Sequence, residues 1–309
     1  MPGAVYEGFS AVEALQESSE AAGWDIEYRQ IEQGQLFSAT ESRQFGDLSL
    51  MVESANLRLE IAGSTPDGIV TVLVPGPNTD LLVNDNRLTE ERILLLEPGT
   101  EMLTLSGQDG KVVSMHIPQA TFSEYIEHLL PESRGFSIQS GPPVIAGPAV
   151  RQLHDALVTA ILGDRDSALV NQTESRLLSR LFSLIESGLS QGRCRDDRNH
   201  RFDKRRILNR ALEYIGGNLN YNVRIPELCA YAGVSQSTLE RLFLREYQLS
   251  PSAYVRSRRL NAVRRILLRR KAEDTIATVA MNHGFQHLGR FAADYRRQFG
   301  VLPSEERQL

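Results

Sequence analysis

The spacing of apolar positions changes along the chain, and the change divides it. Between about Gln35 and Ile117 apolar residues come in short runs, several alternating with polar ones, as in Leu48-Ser49-Leu50-Met51-Val52 and Leu57-Arg58-Leu59-Glu60-Ile61. A period of two sends successive side chains to opposite faces, as a half-buried strand requires. Strands are expected at Asp47–Glu53, Asn56–Ile61, Gly68–Val74, Arg92–Leu96 and Lys111–Ile117. Pro66-Asp67-Gly68, Pro75-Gly76-Pro77-Asn78 and Pro98-Gly99 punctuate them as turns. Short strands at roughly ten-residue spacing predict a small β-barrel or sandwich. The first 30 residues read as an acidic, flexible lead-in with a short helix near Ala11–Ala22.

The period then becomes helical. Phe122–Leu130 reads as a helix, Pro142-Pro143 and Gly147-Pro148 as a connection, and Ala149–Leu162 and Ala168–Ser187 as two further helices. Leu153, Ala156, Leu157 and Ile161 form one apolar stripe, and Leu177, Leu178, Leu181, Leu184 and Ile185 another. Such stripes either cover the β-structure or meet their copy in a second subunit. Leu189–His200 has no apolar period and many charges, so it reads as a linker. The expected division is an N-terminal domain over 1–188, a linker over 189–202 and an all-α domain over 203–309.

The all-α region contains an internal repeat. Its first copy runs Ile225, Leu228-Cys229, Gly233-Val234-Ser235, Leu239, Phe243, Tyr247, Pro251. At a shift of 51 its opening meets Ile276, Val279-Ala280 and Gly284-Phe285; at 52 the rest meets Phe291, Tyr295, Phe299 and Pro303. Each copy reads as a short helix, a turn at Gly233 or Gly284, and a longer helix with apolar residues every fourth position, a helix-turn-helix. Pro226 suits a first helical turn, and Ser235 is placed to cap the next helix. With Leu239 and Phe243 facing inward, Gln236, Ser237, Glu240, Arg241 and Arg245 are left outside. Arg, Gln and Glu can read guanine, adenine and cytosine edges respectively. The second copy presents His287, Gly289, Arg290, Ala293 and Arg297. Arg290 is its best base reader, while Arg296 and Arg297 suit phosphates.

From Ser250-Pro251 to about Lys271 a continuous helix is expected, with Tyr254, Val255, Leu260, Val263, Ile266 and Leu267 packing on both copies. About 20 residues make a rod of roughly 30 Å, close to the roughly 34 Å of one DNA turn. Arg256, Arg258, Arg259, Arg264, Arg265, Arg269, Arg270 and Lys271 lie on it. Several are expected on the phosphate backbone, with Arg264 singled out.

Charge sharpens this picture. The net charge of −5 hides a division: residues 1–192 carry 11 Lys and Arg against 27 Asp and Glu, residues 193–309 carry 23 against 12. A basic half attached to an acidic one fits a polyanion-binding domain joined to one that avoids polyanions. Double-stranded DNA is therefore the expected partner.

These residues resemble the C-terminal domain of the AraC/XylS family of bacterial transcription regulators. The resemblance covers residues 203–307 and rests on GVSQSTLERLFLREYQLSPSAYVRSRRLNAVRRIL and TIATVAMNHGFQHLGRFAADYRRQFGVLPSE. It implies seven helices, two of them recognition helices, with Ser237, Glu240 and Arg241, then His287, Leu288, Gly289 and Arg290, facing the bases. Two positions depart from the family pattern. Arg224 stands where a small capping residue is usual, and Gly289 and Ala293 offer the second helix no long polar side chain. More loosely, QGQLFSATESRQFGDLSLMVESANLRLEI resembles the start of the cupin-like effector or dimerisation domain of one branch of the family. That resemblance implies a β-barrel followed by helices that pair subunits, which favours a dimer contact by Ala149–Ser187.

The fold class is then α+β in two domains: a cupin-like β-barrel followed by helices, and an all-α double helix-turn-helix domain. No catalytic site, metal or cofactor is expected. A metal cupin needs several histidines with a carboxylate on neighbouring strands, and the β region holds only His116. There is no nucleophile elbow, phosphate-binding Gly-rich loop or HExxH. Ser49, Glu53, Arg58, Glu101 and His116 could line a pocket, though exposed strand positions are the commoner fate of such residues. Cys194 and Cys229 have no metal or disulfide spacing and read as incidental thiols. No apolar run approaches the roughly 18 residues of a membrane span, and no signal peptide is evident. The expectation is a cytoplasmic, homodimeric regulator, an activator by family resemblance, with RNA polymerase as a further candidate partner and an unidentified small-molecule effector. The alternative is an N-terminal domain that only dimerises or binds a protein.

Overall fold

The computed structural model describes residues 5–21, 23–84, 86–129, 144–145, 147–163, 170–190, 198–219, 223–268 and 274–306. Pro142-Pro143, residues 191–197 of the expected linker with Cys194, and Arg269, Arg270 and Lys271 lie outside these. The chain divides into two compact units: Met1–Tyr28 with Phe37–Asp196, and Arg29–Leu36 with Asp197–Leu309.

The first unit begins with β1 (Val5–Phe9), α1 (Val12–Ala21) and β2 (Asp25–Gln30), whose last two residues belong to the second unit. The lead-in expected to be flexible is thus built into a sheet. Then follow β3 (Ser38–Phe45), β4 (Leu48–Ala55), β5 (Leu59–Ser64), β6 (Ile69–Pro75), β7 (Leu81–Val83), β8 (Asn86–Leu88), β9 (Arg92–Leu96), β10 (Glu101–Leu105) and β11 (Gly110–Pro118). Helix α2 (Gln119–Leu129), β12 (Val144–Ile145), α3 (Pro148–Leu162) and α4 (Val170–Ser190) complete it. The strands form two antiparallel sheets, one of seven in the order β1-β3-β4-β11-β6-β9-β12 and one of five in the order β2-β5-β10-β7-β8. Their edges do not join, so the expected barrel is an open, jelly-roll-like sandwich.

Alternation along the central strands sorts side chains between two cores. Leu48 and Leu50 of β4, Val70, Val72 and Val74 of β6, and Val113, Met115 and Ile117 of β11 turn to one face of the larger sheet. There they pack with Phe122, Leu153, Leu157, Ile161, Leu177, Leu178, Leu181 and Ile185 of the three helices. This corrects the expectation that a helical stripe meets a second subunit. Both stripes are consumed in the core of their own chain, and burying these eight side chains elsewhere would expose the sheet face to water. The outward positions of α3 and α4 are mainly polar: Arg151, Gln152, Asp155, Thr159, Ser175, Arg176, Ser179, Arg180 and Ser183 are exposed.

The second unit has seven helices among the described residues: α5 (Arg198–Gly217), α6 (Ile225–Ala232), α7 (Gln236–Tyr247), α8 (Pro251–Leu268), α9 (Ile276–Asn282), α10 (Leu288–Phe299) and α11 (Pro303–Glu306). The two ends of the expected linker, at Ser190 and from Arg198, are helical, since extending an existing helix needs no new nucleus. Pro251 and Pro303 both open a helix at matching points of the repeat. Its inward residues are buried in both copies: Leu239, Phe243 and Tyr247 in one, Phe291, Tyr295 and Phe299 in the other.

The strap Arg29–Leu36 belongs to this helical unit. The Gln30 carbonyl accepts from Asn261 Nδ2 at 3.0 Å, Ser257 Oγ at 3.1 Å and Gln298 Nε2 at 2.9 Å. The Gln30 amide donates to Asn261 Oδ1 at 2.9 Å, and its side-chain Nε2 to the Gln298 carbonyl at 2.6 Å. Ile31 and Leu36 are buried beside it. These polar residues of α8 and α10 sit in the core because the strap satisfies them.

Candidate nucleic-acid interface and N-terminal cavity

Each repeat turns where a left-handed residue is needed. Gly233 has φ 74° and ψ 33°, and its amide bonds back to Cys229 and Ala230. Ser235 then caps α7, accepting from the Thr238 amide at 3.3 Å. Thr275 does the same for α9 with the Thr278 amide at 3.1 Å. Arg224 stands at the start of α6 with no side-chain cap, as its residue type predicts.

Along α7, Gln236, Ser237, Arg241, Leu244 and Arg245 are exposed. Glu240 is half-buried and accepts from Gln236 Nε2 at 2.9 Å, so the two residues act on that face as a pair. Arg245 is ion-paired with Glu246. Along α10, Leu288, Gly289, Arg290, Ala293, Arg296 and Arg297 are exposed, with His287 at the helix start. Arg297 holds Asp294 at 3.0 Å. A methyl group at Gly289 would meet nothing within 4 Å, so that position is open surface. Helix α8 has 18 residues, roughly 27 Å at 1.5 Å each.

Arg264 is a correction. Expected on phosphate, it is 4% exposed and lies in the core with Glu306, itself 3% exposed. Its guanidinium stands 4.4 Å over the Phe299 ring, and Glu306 also takes the Tyr295 hydroxyl. A side chain four positions from Leu260 and three from Leu267 points where they point, into the seam between α8 and the second repeat. The rest of the α8 arginines are partly engaged too. Arg259 donates to the Leu219 carbonyl at 3.2 Å, and Arg258 to the Tyr254 hydroxyl at 3.0 Å. Arg256 is exposed, 3.9 Å from Asp294.

In the first unit a cavity of about 90 Å3 lies between the two sheets. The larger sheet lines it with Met51, Glu53, Thr71, Leu73, Val112 and Ser114, the smaller with Ile26, Tyr28, Leu59, Ile61, Leu81, Met102 and Thr104. Trp24 and Leu15 also line it. Of the five residues read from sequence as a pocket, Glu53 lines this cavity and His116 stands beside it. Ser49, Arg58 and Glu101 do not line it. Tyr28, Trp24, Thr71 and Thr104 went unread, although Thr71 and Thr104 alternate with buried aliphatics, a signal of inward-facing hydroxyls.

Glu53 accepts from the Tyr28 hydroxyl at 3.1 Å, and Tyr28 meets Ser19 Oγ at 3.2 Å. Burial pushes the Glu53 carboxyl up, against the lowering effect of the Tyr28 bond. Burial, then the Glu53 charge, holds the Tyr28 phenol well above its usual range. His116 packs edge-on to Trp24 at 5.0 Å, and burial takes its pKa from 6.5 down to about 4. Between those values the unfolded chain binds the extra proton. Stability is therefore whole above pH 6.5 and falls, by about 3 kcal/mol at most, as pH drops to about 4. Denaturant titrations at pH 7 and pH 4.5 are expected to show this loss in the wild type and a smaller one in His116→Leu.

Among the described residues no group of three His, Cys, Asp or Glu is placed to hold a metal ion. Cys229 is buried and free. No described helix is long and apolar enough to cross a membrane.

Residues 228–309 match the protein family described as "Helix-turn-helix domain". The XylDLEGF operon transcriptional activator of Pseudomonas putida is 37% identical over 97 residues, 31% of this chain and 30% of that protein. The HTH-type transcriptional regulator GbdR of Pseudomonas aeruginosa is 37% identical over 91 residues, 29% of this chain and 24% of that protein. The chain thus spans about a third or less of the length of these relatives. A solved structure of a probable AraC family transcriptional regulator from Rhodopseudomonas palustris is 33% identical, covering 33% of this chain and 94% of that one at a TM-score of 0.32. Over residues 228–309 the chain thus carries a helix-turn-helix domain similar to those of bacterial transcription regulators.

Proposed function

We propose that the protein is a sequence-specific transcription activator that binds double-stranded DNA through α7 and α10 and responds to a small molecule held in its N-terminal cavity. The observation that carries the DNA reading is the pair of helices presenting Arg241 and Arg290 to solvent on a basic unit, at repeat positions that face outward. The first helix specifies sequence through Gln236, Ser237, Glu240 and Arg241. The second, with Gly289 and Ala293, contributes affinity and register through Arg290, Arg296 and Arg297. Arg245, His287 and Leu288 complete the face.

The sensing part rests on the cavity, because a domain that only dimerises has no use for one lined by hydroxyls and a carboxyl. A ligand can switch the protein only by binding one arrangement of its domains better than another. The family resemblance extends the proposal to a homodimer acting in the cytoplasm, with RNA polymerase as the partner an activator requires. With both apolar stripes buried, a subunit contact by α3 and α4 would use their outward polar faces; sedimentation of the purified chain tests it.

Sites selected from a random duplex library, followed by titration of single-base variants, test the DNA reading. Arg241→Ala is expected to lose discrimination at one position by about 1–3 kcal/mol, roughly 5- to 150-fold. Arg297→Ala should weaken all sequences alike and lower the salt slope by about one. Uniform weakening by Arg241→Ala, with no position relaxed, would remove it from the base-reading set.

A further inference from the structure

Four features of the cavity bear on what it can hold. Its wall is mainly aliphatic and aromatic and includes Trp24. Among the described residues no lysine or arginine lines it. Glu53 contributes a carboxyl, and an anionic ligand would have to approach it without any counter-charge. The hydroxyls of Thr71 and Thr104, residues 1% and 4% exposed, meet no hydrogen-bond partner. A buried hydroxyl without a partner costs about 1–3 kcal/mol, and both line the cavity.

The register sets the spacing of these polar stations. Thr71 pairs with His116, and His116 with Ser49; Glu53 pairs with Val112, four residues along β11 from His116. At about 3.3 Å per residue, Glu53 and Thr71 stand roughly 13 Å apart along the strands. Glu53 therefore lies towards one end and Thr71 towards the other, with Met51, Leu73 and a Ser114 hydroxyl already given to the Met51 carbonyl between them. A buried apolar cavity of roughly 150 Å3 holds benzene, so one of about 90 Å3 takes something smaller, a short chain of a few heavy atoms.

We propose that this cavity binds a neutral, mainly apolar molecule of that size bearing a terminal hydroxyl, carbonyl or amide group, and that it rejects carboxylates. The molecule buries its apolar part against Trp24, Met51, Leu73 and Met102 and meets the threonine hydroxyls or the Glu53 carboxyl with its polar end. Discrimination comes from the missing cation: a carboxylate would lose its hydration and gain no opposite charge. This inference rests on the reading of the cavity as a sensing site.

The chain contains a single tryptophan, Trp24, so its fluorescence reports directly on the cavity. The full-length protein is titrated with 1-propanol and propanoate, and with 1-butanol and butanoate, at pH 7.5. Each alcohol is expected to change Trp24 emission saturably, with a Kd at least tenfold below that of its carboxylate. Thr71→Val and Thr104→Val remove a partnerless hydroxyl and should fold; at least one should weaken 1-butanol several-fold while leaving butane unchanged. Carboxylates binding as well as the alcohols, or butylammonium binding better, would overturn the neutral class and leave the sensing reading standing. No saturable change with any of these probes would overturn the cavity as a ligand site and the sensing reading with it. The DNA reading has its own test and survives either result.

Discussion

Arg264→Ala is expected to lower the stability of the helical unit by about 3–5 kcal/mol, the usual cost of stranding one member of a buried ion pair. Its partner Glu306 is 3% exposed and would keep only the Tyr295 hydroxyl. The Phe299 ring would also lose the guanidinium stacked 4.4 Å above it. Denaturant titration of the full chain, followed by circular dichroism of its helices, measures the loss. DNA binding by the fraction still folded should keep the wild-type salt slope, because the side chain never reaches phosphate. Replacing the pair together, by Arg264→Met with Glu306→Leu, should recover most of the stability, since no charge is then left buried and unpaired. A stability change under about 1 kcal/mol with a flattened salt slope would return Arg264 to the phosphate set.

A second large effect is expected at Gly63. This residue of β5 has φ +155°, and a Cβ built there would lie 2.0 Å from the Asp25 carbonyl oxygen and 2.7 Å from Ile26 Cα. Both atoms are backbone of β2, so no side-chain rotation can relieve the contact. Overpacking of this kind costs about 1–3 kcal/mol, and an unfavourable φ adds a similar amount. Gly63→Ala should therefore destabilise the sheet unit by about 3–5 kcal/mol. The strand it displaces carries Ile26 and Tyr28 into the cavity wall. Trp24 emission should shift towards that of a solvent-exposed indole at denaturant concentrations the wild type withstands. Wild-type stability and emission in Gly63→Ala would show that β2 does not pass so close.

How much of the protein was legible in its sequence depended on whether the information was local. The repeat was read correctly because a helix-turn-helix is specified within about 20 residues by its glycine, its cap and its apolar spacing. Leu239, Phe243 and Tyr247, with Phe291, Tyr295 and Phe299, are buried as that spacing required. In the sheets, β9 was found at its observed bounds, Arg92–Leu96, and β4, β6 and β11 within a few residues. Strand β3, SATESRQF, went unread because it carries few apolar residues; its neighbours β1 and β4 hold it through backbone bonds. Strands β7 and β8 have three residues each, too short for any alternation to show.

By itself, then, the sequence determined the two-part character of the chain, its acidic and basic halves, the turns and caps of both repeats and the outward position of Arg241 and Arg290. These follow from residue type and spacing along one segment. Only the tertiary structure decided what each stripe and charge would meet. It buried the stripes of α3 and α4 against their own sheet, drew Arg264 into the core with Glu306, and set Thr71 and Thr104 around one cavity. It also drew the strap Arg29–Leu36 into the helical unit, where Asn261, Ser257 and Gln298 satisfy the main-chain amide and carbonyl of Gln30. The partners in these contacts are separated by tens to more than two hundred residues. Periodicity says which side of an element turns inward, while the identity of the neighbour depends on how distant elements pack.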